Sequence, residues 1–117
     1  MIRHYSIMAK KRTYSRYSSE TIMLLADKIK LGRKQRKWTE QELAERAGIS
    51  RATLQKIEKG NMNCAIGLVF EVAVLVGIKL FDTDHISLTM QQESTYDKLA
   101  LLPKSVRKNR KSVDDDF

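Results

Sequence analysis

The spacing of apolar residues predicts a helical chain between a polar start and a polar end. Apolar residues from position 22 to position 29 recur at helical intervals, and Ser18 or Ser19 precedes them as an N-cap candidate. Two shorter amphipathic segments follow, and then a segment that is apolar on nearly every side. The predicted helices cover residues 20–36, 40–47, 51–58 and 65–76, with a weaker fifth between residues 82 and 102 that ends at Pro103. We therefore expect an all-α bundle of four to five helices.

The two short helices carry specific start and stop signals. Thr39 and Glu42 have the spacing of a capping box, and Ser50 is placed to cap the second helix. Gly48 lies between the two helices, where a left-handed residue ends the first of them. A helix, a short turn with glycine and a second helix is the pattern of a helix-turn-helix. The alternative is a small helical hairpin with a solvated face.

The outward positions of the second short helix are polar. They are Arg51, Thr53, Gln55 and Lys56. Arginine, glutamine and lysine side chains suit base edges and phosphates, so this helix is a candidate for reading DNA.

The apolar helix over residues 65–76 has two apolar stripes. One stripe contains Ile66, Val69, Phe70, Ala73 and Val76, and the opposite one contains Leu68, Val72 and Leu75. A small domain has one core, so we expect the second stripe to contact another copy of the chain. Leu68, Val72 and Leu75 are therefore the predicted homodimer interface. The alternative is burial under residues 78–102 of the same chain.

Charge separates the chain into a basic and a mildly acidic part. The net charge is +8, and residues 1–61 carry fifteen basic but only six acidic side chains. Residues 62–102 carry two basic and five acidic side chains. This asymmetry favours a polyanion partner such as nucleic acid, although a charge that serves only solubility gives the same count.

The composition excludes several other classes. A chain of 117 residues is too short for a TIM barrel and short for a doubly wound dinucleotide-binding enzyme. One cysteine makes no internal disulfide, which suits a cytoplasmic location. The two histidines and one cysteine indicate no metal cluster, and the sequence contains no catalytic set or phosphate-binding glycine loop. We expect no enzyme activity, no cofactor and no membrane span.

These features predict a domain organisation along the chain. The predicted parts are a basic, disordered arm (1–18), a helix-turn-helix domain (19–81), a C-terminal helix (82–102) and a flexible tail that is basic and then acidic (103–117).

The segment from Leu43 to Gly60, LAERAGISRATLQKIEKG, resembles the Cro/repressor (Xre-type) helix-turn-helix family. The resemblance covers residues 20–80. It implies a repressor-like bundle whose members bind double-stranded operator DNA as dimers, with the second motif helix in the major groove.

The resemblance also implies roles for individual residues. The implied base-reading residues are Arg51, Ala52, Thr53, Gln55 and Lys56. The implied phosphate contacts are Thr39, Gln41, Ser50, Lys59 and Asn61, to which the arm would add Lys10, Lys11 and Arg12. Arg33 and Glu58 match a buried ion pair of the family, with a structural role.

A second, narrower resemblance involves the segment Gly67–Ala73, the segment Leu99–Pro103 and the tail. Together with the helix-turn-helix they resemble the HipB-like antitoxins, which are encoded beside HipA-type serine/threonine kinase toxins. The resemblance implies a repressor that regulates its own operon and binds the kinase, alone or with a third subunit. The alternatives are an interaction module that neutralises a toxin with little DNA binding, and a stand-alone phage-type repressor.

Overall fold

Five α-helices make up the regular structure of the described residues. The computed structural model describes residues 12–81 and 84–108. The helices are α1 (Arg16–Gln35), α2 (Glu40–Ala47), α3 (Arg51–Glu58), α4 (Ile66–Leu75) and α5 (His85–Ala100). The described residues contain no strand. The all-α prediction with four to five helices is confirmed.

Helix α1 begins earlier than the sequence predicted. Its N-cap is Ser15, whose side chain accepts a hydrogen bond from the Ser18 backbone, and not Ser18 or Ser19. The added first turn is almost entirely solvent-facing, so it lacks the apolar spacing on which the prediction depended. Arg16 and Glu20 are one helical turn apart and form an ion pair, with 2.8 Å between Arg16 Nε and Glu20 Oε2. This pair stabilises the first turn instead.

Helices α2 and α3 form the predicted helix-turn-helix. The Thr39 hydroxyl accepts from the Glu42 backbone N–H, and the Glu42 carboxylate accepts from the Thr39 N–H at 2.8 Å. Gly48 ends α2 with a φ of 69°, a conformation that side chains with a Cβ rarely adopt. The Ser50 hydroxyl then accepts from the Thr53 N–H and begins α3. The capping box, the left-handed glycine and the second cap are thus all confirmed.

The hydrophobic core lies where α1 to α4 meet. Its largest fully buried side chains are Ile29, Leu43, Leu54 and Val72, one from each helix. Helix α1 closely approaches Val76, the residue that follows α4, at Gly32, where an added Cβ would lie only 2.9 Å from the Cβ of Val76. This packing fixes α3 against the rest of the bundle and leaves one of its faces to solvent.

The structure corrects one residue of the predicted dimer face of α4. Val72 is fully buried in the core of its own chain, and Leu75 packs partly against that core. Leu68 stays a predicted interface residue and is exposed at 37%, and the same helix also exposes Phe70 at 37%, Val74 at 61% and Ile66 at 72%. Periodicity could not choose the buried face, because α4 is apolar on nearly every side.

Helix α5 belongs to a separate compact unit that starts at Phe81. The Asp84 side chain caps this helix by accepting from the Ser87 backbone N–H at 2.7 Å. None of the α5 residues is buried. The fifth helix expected between residues 82 and 102 is therefore present.

Among the described residues, no helix has both the length and the apolar character needed to cross a bilayer.

Candidate nucleic-acid interface

Helix α3 presents a polar, solvent-facing surface made of four predicted base-reading residues. Arg51, Ala52 and Lys56 are exposed, and Gln55 is half-buried beside them. Arg51 and Gln55 are four residues apart, as are Ala52 and Lys56, and the two pairs are adjacent. All four side chains therefore lie on one side of the helix. The opposite side carries the buried Leu54, Ile57 and Glu58. We name the exposed side, Arg51, Ala52, Gln55 and Lys56, the α3 face.

Thr53 lies at the edge of the α3 face. Its hydroxyl oxygen accepts from the Ser50 hydroxyl at 2.9 Å, and its backbone N–H donates to the Ser50 oxygen at 3.0 Å. Ser50 and Thr53 are thus both occupied in starting α3. Their predicted DNA contacts stay predictions, and each would require the cap to share its hydrogen bonds.

The start of α2 carries two predicted phosphate contacts. Thr39 and Gln41 are both exposed. Thr39 forms the capping box, and the Gln41 amide donates to the Glu45 carboxylate at 3.1 Å. The positive end of the helix dipole and its first backbone N–H groups favour an anion at this helix end.

The remaining phosphate candidates lie outside α2 and α3. Lys59 and Asn61 are exposed just after α3, where the Asn61 side-chain oxygen accepts from the Asn63 backbone at 2.7 Å and leaves its amide nitrogen to donate. The guanidinium of Arg12 stacks on the ring of Tyr14, 5.6 Å from the ring centre. Lys10 and Lys11 lie outside the described residues.

A buried ion pair holds α3 to α1. Arg33 Nε and Nη2 donate to the two carboxylate oxygens of Glu58 at 2.7 and 3.0 Å, and Arg33 Nη1 donates to the Trp38 carbonyl at 3.0 Å. The two residues are exposed at only 7% and 3%. The hydrogen bonds to Glu58 raise the pKa of Arg33, which keeps the guanidinium charged. The ion pair that the family resemblance implied is therefore present.

Sequence reasoning missed the role of Glu40. Its Oε1 accepts from Gln55 Nε2 at 3.0 Å and from Arg51 Nε at 3.1 Å, so it joins the start of α2 to the α3 face. The hydrogen bonds from Gln55 and then from Arg51 lower the pKa of Glu40, so this carboxylate stays ionised at neutral pH. Glu40 and Arg51 are eleven residues apart, and only the crossing of two helices brings them together. The sequence did contain one signal for this contact, because an acidic residue begins the first motif helix and a basic residue begins the second.

Two further cations surround Trp38, between α1 and α2. The Arg46 guanidinium lies 4.2 Å from the centre of the Trp38 ring, and that of Arg36 lies 5.8 Å from it. Cations over a tryptophan face gain electrostatic attraction from the ring. This stack fixes the entry into α2, a role that the sequence analysis did not assign.

Comparison with known proteins places this arrangement in a family. Residues 29–81 match the Helix-turn-helix family. An uncharacterized HTH-type transcriptional regulator from Methanocaldococcus jannaschii is 34% identical over 58 residues, which cover 50% of this chain and 88% of that protein. The chain belongs to the helix-turn-helix family of transcriptional regulators. As an HTH-type regulator it is a DNA-binding protein and not a member of an enzyme family.

Two solved structures are also similar to this HTH-type regulator. One is a HipB variant from a complex with an O2 20mer, with 28% identity, a TM-score of 0.48, and coverage of 65% of this chain and 97% of that one. The other is a chain from a HipA–HipB–O2–O3 complex, with the same identity and TM-score and with coverage of 65% and 99%.

Proposed function

We propose that the protein is a sequence-specific, dimeric repressor that reads operator DNA with the α3 face. The observation that supports this best is the α3 face itself, where Arg51, Gln55 and Lys56 project from a helix fixed on its other side by Leu54, Ile57 and Glu58. A rigid helix with polar side chains at its N-terminal end fits the major groove. In this arrangement Arg51 reads guanine, Gln55 reads adenine, and Ala52 contacts a thymine methyl group.

The proposal assigns the phosphate contacts to the helix ends and to the arm. Thr39 and Gln41 approach the backbone from the start of α2, while Ser50, Lys59 and Asn61 hold it at the two ends of α3. Lys10, Lys11 and Arg12 add contacts that do not depend on sequence. Two copies with α3 helices about 34 Å apart would read a roughly palindromic site.

Arg51→Ala should weaken binding to a duplex selected by the wild-type protein by about 1–3 kcal/mol. The expected cause is the loss of two hydrogen bonds to one base, so the preference at that position should also relax. The measurement is a titration of labelled duplexes with wild-type and variant protein. Lys28→Ala is the charge-matched control, because Lys28 is exposed on α1. Unchanged affinity and base preference in Arg51→Ala would show that α3 does not read DNA in this way.

We also propose that this regulator is the antitoxin of a HipA-type serine/threonine kinase. The support is the resemblance of the helix-turn-helix, the segment Gly67–Ala73 and the segment Leu99–Pro103 to HipB-like antitoxins. Such a protein would bind the kinase, alone or with a third subunit, and repress the operon that encodes both.

A nuclease-treated pull-down of the tagged protein from its host tests this role. We expect a stoichiometric serine/threonine kinase in the mass spectrum, and we expect the Arg51→Ala variant to retain it, since DNA does not bridge the two proteins. Purification without a partner would favour a stand-alone phage-type repressor. A partner together with no sequence preference on DNA would favour the interaction module.

A further inference from the structure

Two side chains of the α3 face reach back to one carboxylate on α2. Arg51 Nε and Gln55 Nε2 donate to the same atom, Oε1 of Glu40, at 3.1 and 3.0 Å. The Glu40 side chain is 28% exposed and that of Arg51 is 60% exposed, so the cluster lies at the surface that would meet DNA. We propose that Glu40 is a positioning residue that determines specificity by fixing how Arg51 and Gln55 meet their bases.

The contact with Glu40 selects which donors Arg51 offers. A guanidinium has five N–H donors in a planar fork, one on Nε and four on the two terminal nitrogens. Glu40 takes the Nε donor. The two terminal nitrogens then remain at the far end of the side chain, where they match the O6 and N7 acceptors of guanine. Glu40 thus holds the plane of the guanidinium and leaves the pair of donors that guanine needs.

The same carboxylate sets the orientation of the Gln55 amide. An ionised carboxylate only accepts hydrogen bonds, so the amide nitrogen of Gln55 must face Glu40. The second N–H and the amide oxygen are then left as one donor and one acceptor. This pair matches N7 and N6 of adenine. An amide that is not held can turn over and present its groups in another order, which relaxes the choice of base.

Glu40 also opposes binding that does not depend on sequence. Its negative charge is favourable at the start of α2 but repels DNA phosphates. Glu40 therefore lowers affinity for any duplex while it sharpens the choice among duplexes. If Glu40 only stabilised the fold, its removal would lower both the affinity for any duplex and the discrimination among duplexes. This inference rests on the proposed reading of DNA by the α3 face.

The test compares base preference and general affinity in the full-length chain. Wild type, Glu40→Ala, Glu40→Gln, Arg51→Ala and the Arg51→Ala/Glu40→Ala double variant are each incubated with a random duplex library, and the bound DNA is sequenced. Each protein is then titrated with the duplex that wild type selects and with a scrambled duplex. Asp27→Ala and Asp27→Asn are the matched controls, because Asp27 is an exposed acid on α1. Thermal melting reports whether each variant is folded.

We expect Glu40→Ala to reduce the ratio of selected to scrambled affinity about tenfold. Its base preference should weaken at the position that Arg51→Ala weakens and at the position that Gln55 reads, and its affinity for the scrambled duplex should not fall. The double variant should differ from Arg51→Ala in base preference only at the position that Gln55 reads. The Asp27 variants should keep the wild-type ratio.

Wild-type base preferences in Glu40→Ala would overturn the proposal and leave the α3 face as the reading surface. If Glu40→Ala melts below the assay temperature, Glu40→Gln decides at the position that Gln55 reads, because an amide at residue 40 can donate as well as accept and no longer fixes which way the Gln55 amide faces. A library from which the wild type itself selects no sequence would overturn the proposed function together with this inference.

Discussion

Glu58→Ala is expected to lower the free energy of unfolding by about 3–5 kcal/mol, a large part of the stability of a domain of this size. The substitution removes two hydrogen bonds from Arg33 and leaves its guanidinium charged in a site that is only 7% exposed. The remaining hydrogen bond to the Trp38 carbonyl cannot replace a counter-charge. Arginine does not lose its proton, so the cost cannot be avoided by neutralisation.

Urea unfolding followed by circular dichroism measures this effect. Glu45→Ala is the matched control, because Glu45 is an exposed acid on α2, and its change should stay within about 0.5 kcal/mol. The double variant Arg33→Met/Glu58→Leu should recover most of the loss, because two apolar side chains need no partner. A loss below about 1 kcal/mol in Glu58→Ala would mean that water reaches and solvates the Arg33 guanidinium.

The ion pair also has a consequence for DNA binding. It is a polar link between α1 and α3, and Arg33 also donates to the Trp38 carbonyl just before α2, so Arg33 helps to set the position of the α3 face relative to the start of α2. The contact that Glu40 makes with Arg51 and Gln55 depends on the same relative position. Loss of the pair should therefore weaken base discrimination even in molecules that remain folded.

Local signals predicted the helix-turn-helix accurately. The Thr39–Glu42 capping box, Gly48 and the Ser50 cap each act within a few residues, so the sequence alone contains the information. The predicted α4 face was wrong at Val72 for the opposite reason. Val72 is buried and Val74 is exposed because of how α4 packs against α2 and the core, which an almost uniformly apolar helix does not reveal. The Glu40 cluster likewise depends on the crossing of two helices.

The exposed side of α4 leads to the second large expected effect. Val74→Glu should convert the proposed dimer into a monomer and weaken binding to a duplex with two half-sites by about 10²–10⁴-fold. Ile66, Phe70 and Val74 form one apolar row that is exposed at 72%, 37% and 61%. Ile66 and Phe70 also line an apolar cavity of about 220 Å³ against α1. A carboxylate in this row would be desolvated in a dimer and solvated in a monomer.

Sedimentation equilibrium gives the oligomeric state, and titrations with one-site and two-site duplexes give the two affinities. Leu31→Glu is the matched control, since Leu31 is an apolar residue on α1 with a similar exposure of 56%. Affinity for a single half-site should be the same in all three proteins, because the α3 face is unchanged. A Val74→Glu variant that stays dimeric would move the interface away from this row. A monomeric wild type that binds one-site and two-site duplexes equally well would remove the dimer from the proposal, and the α3 face would then have to reach operator affinity from one copy alone.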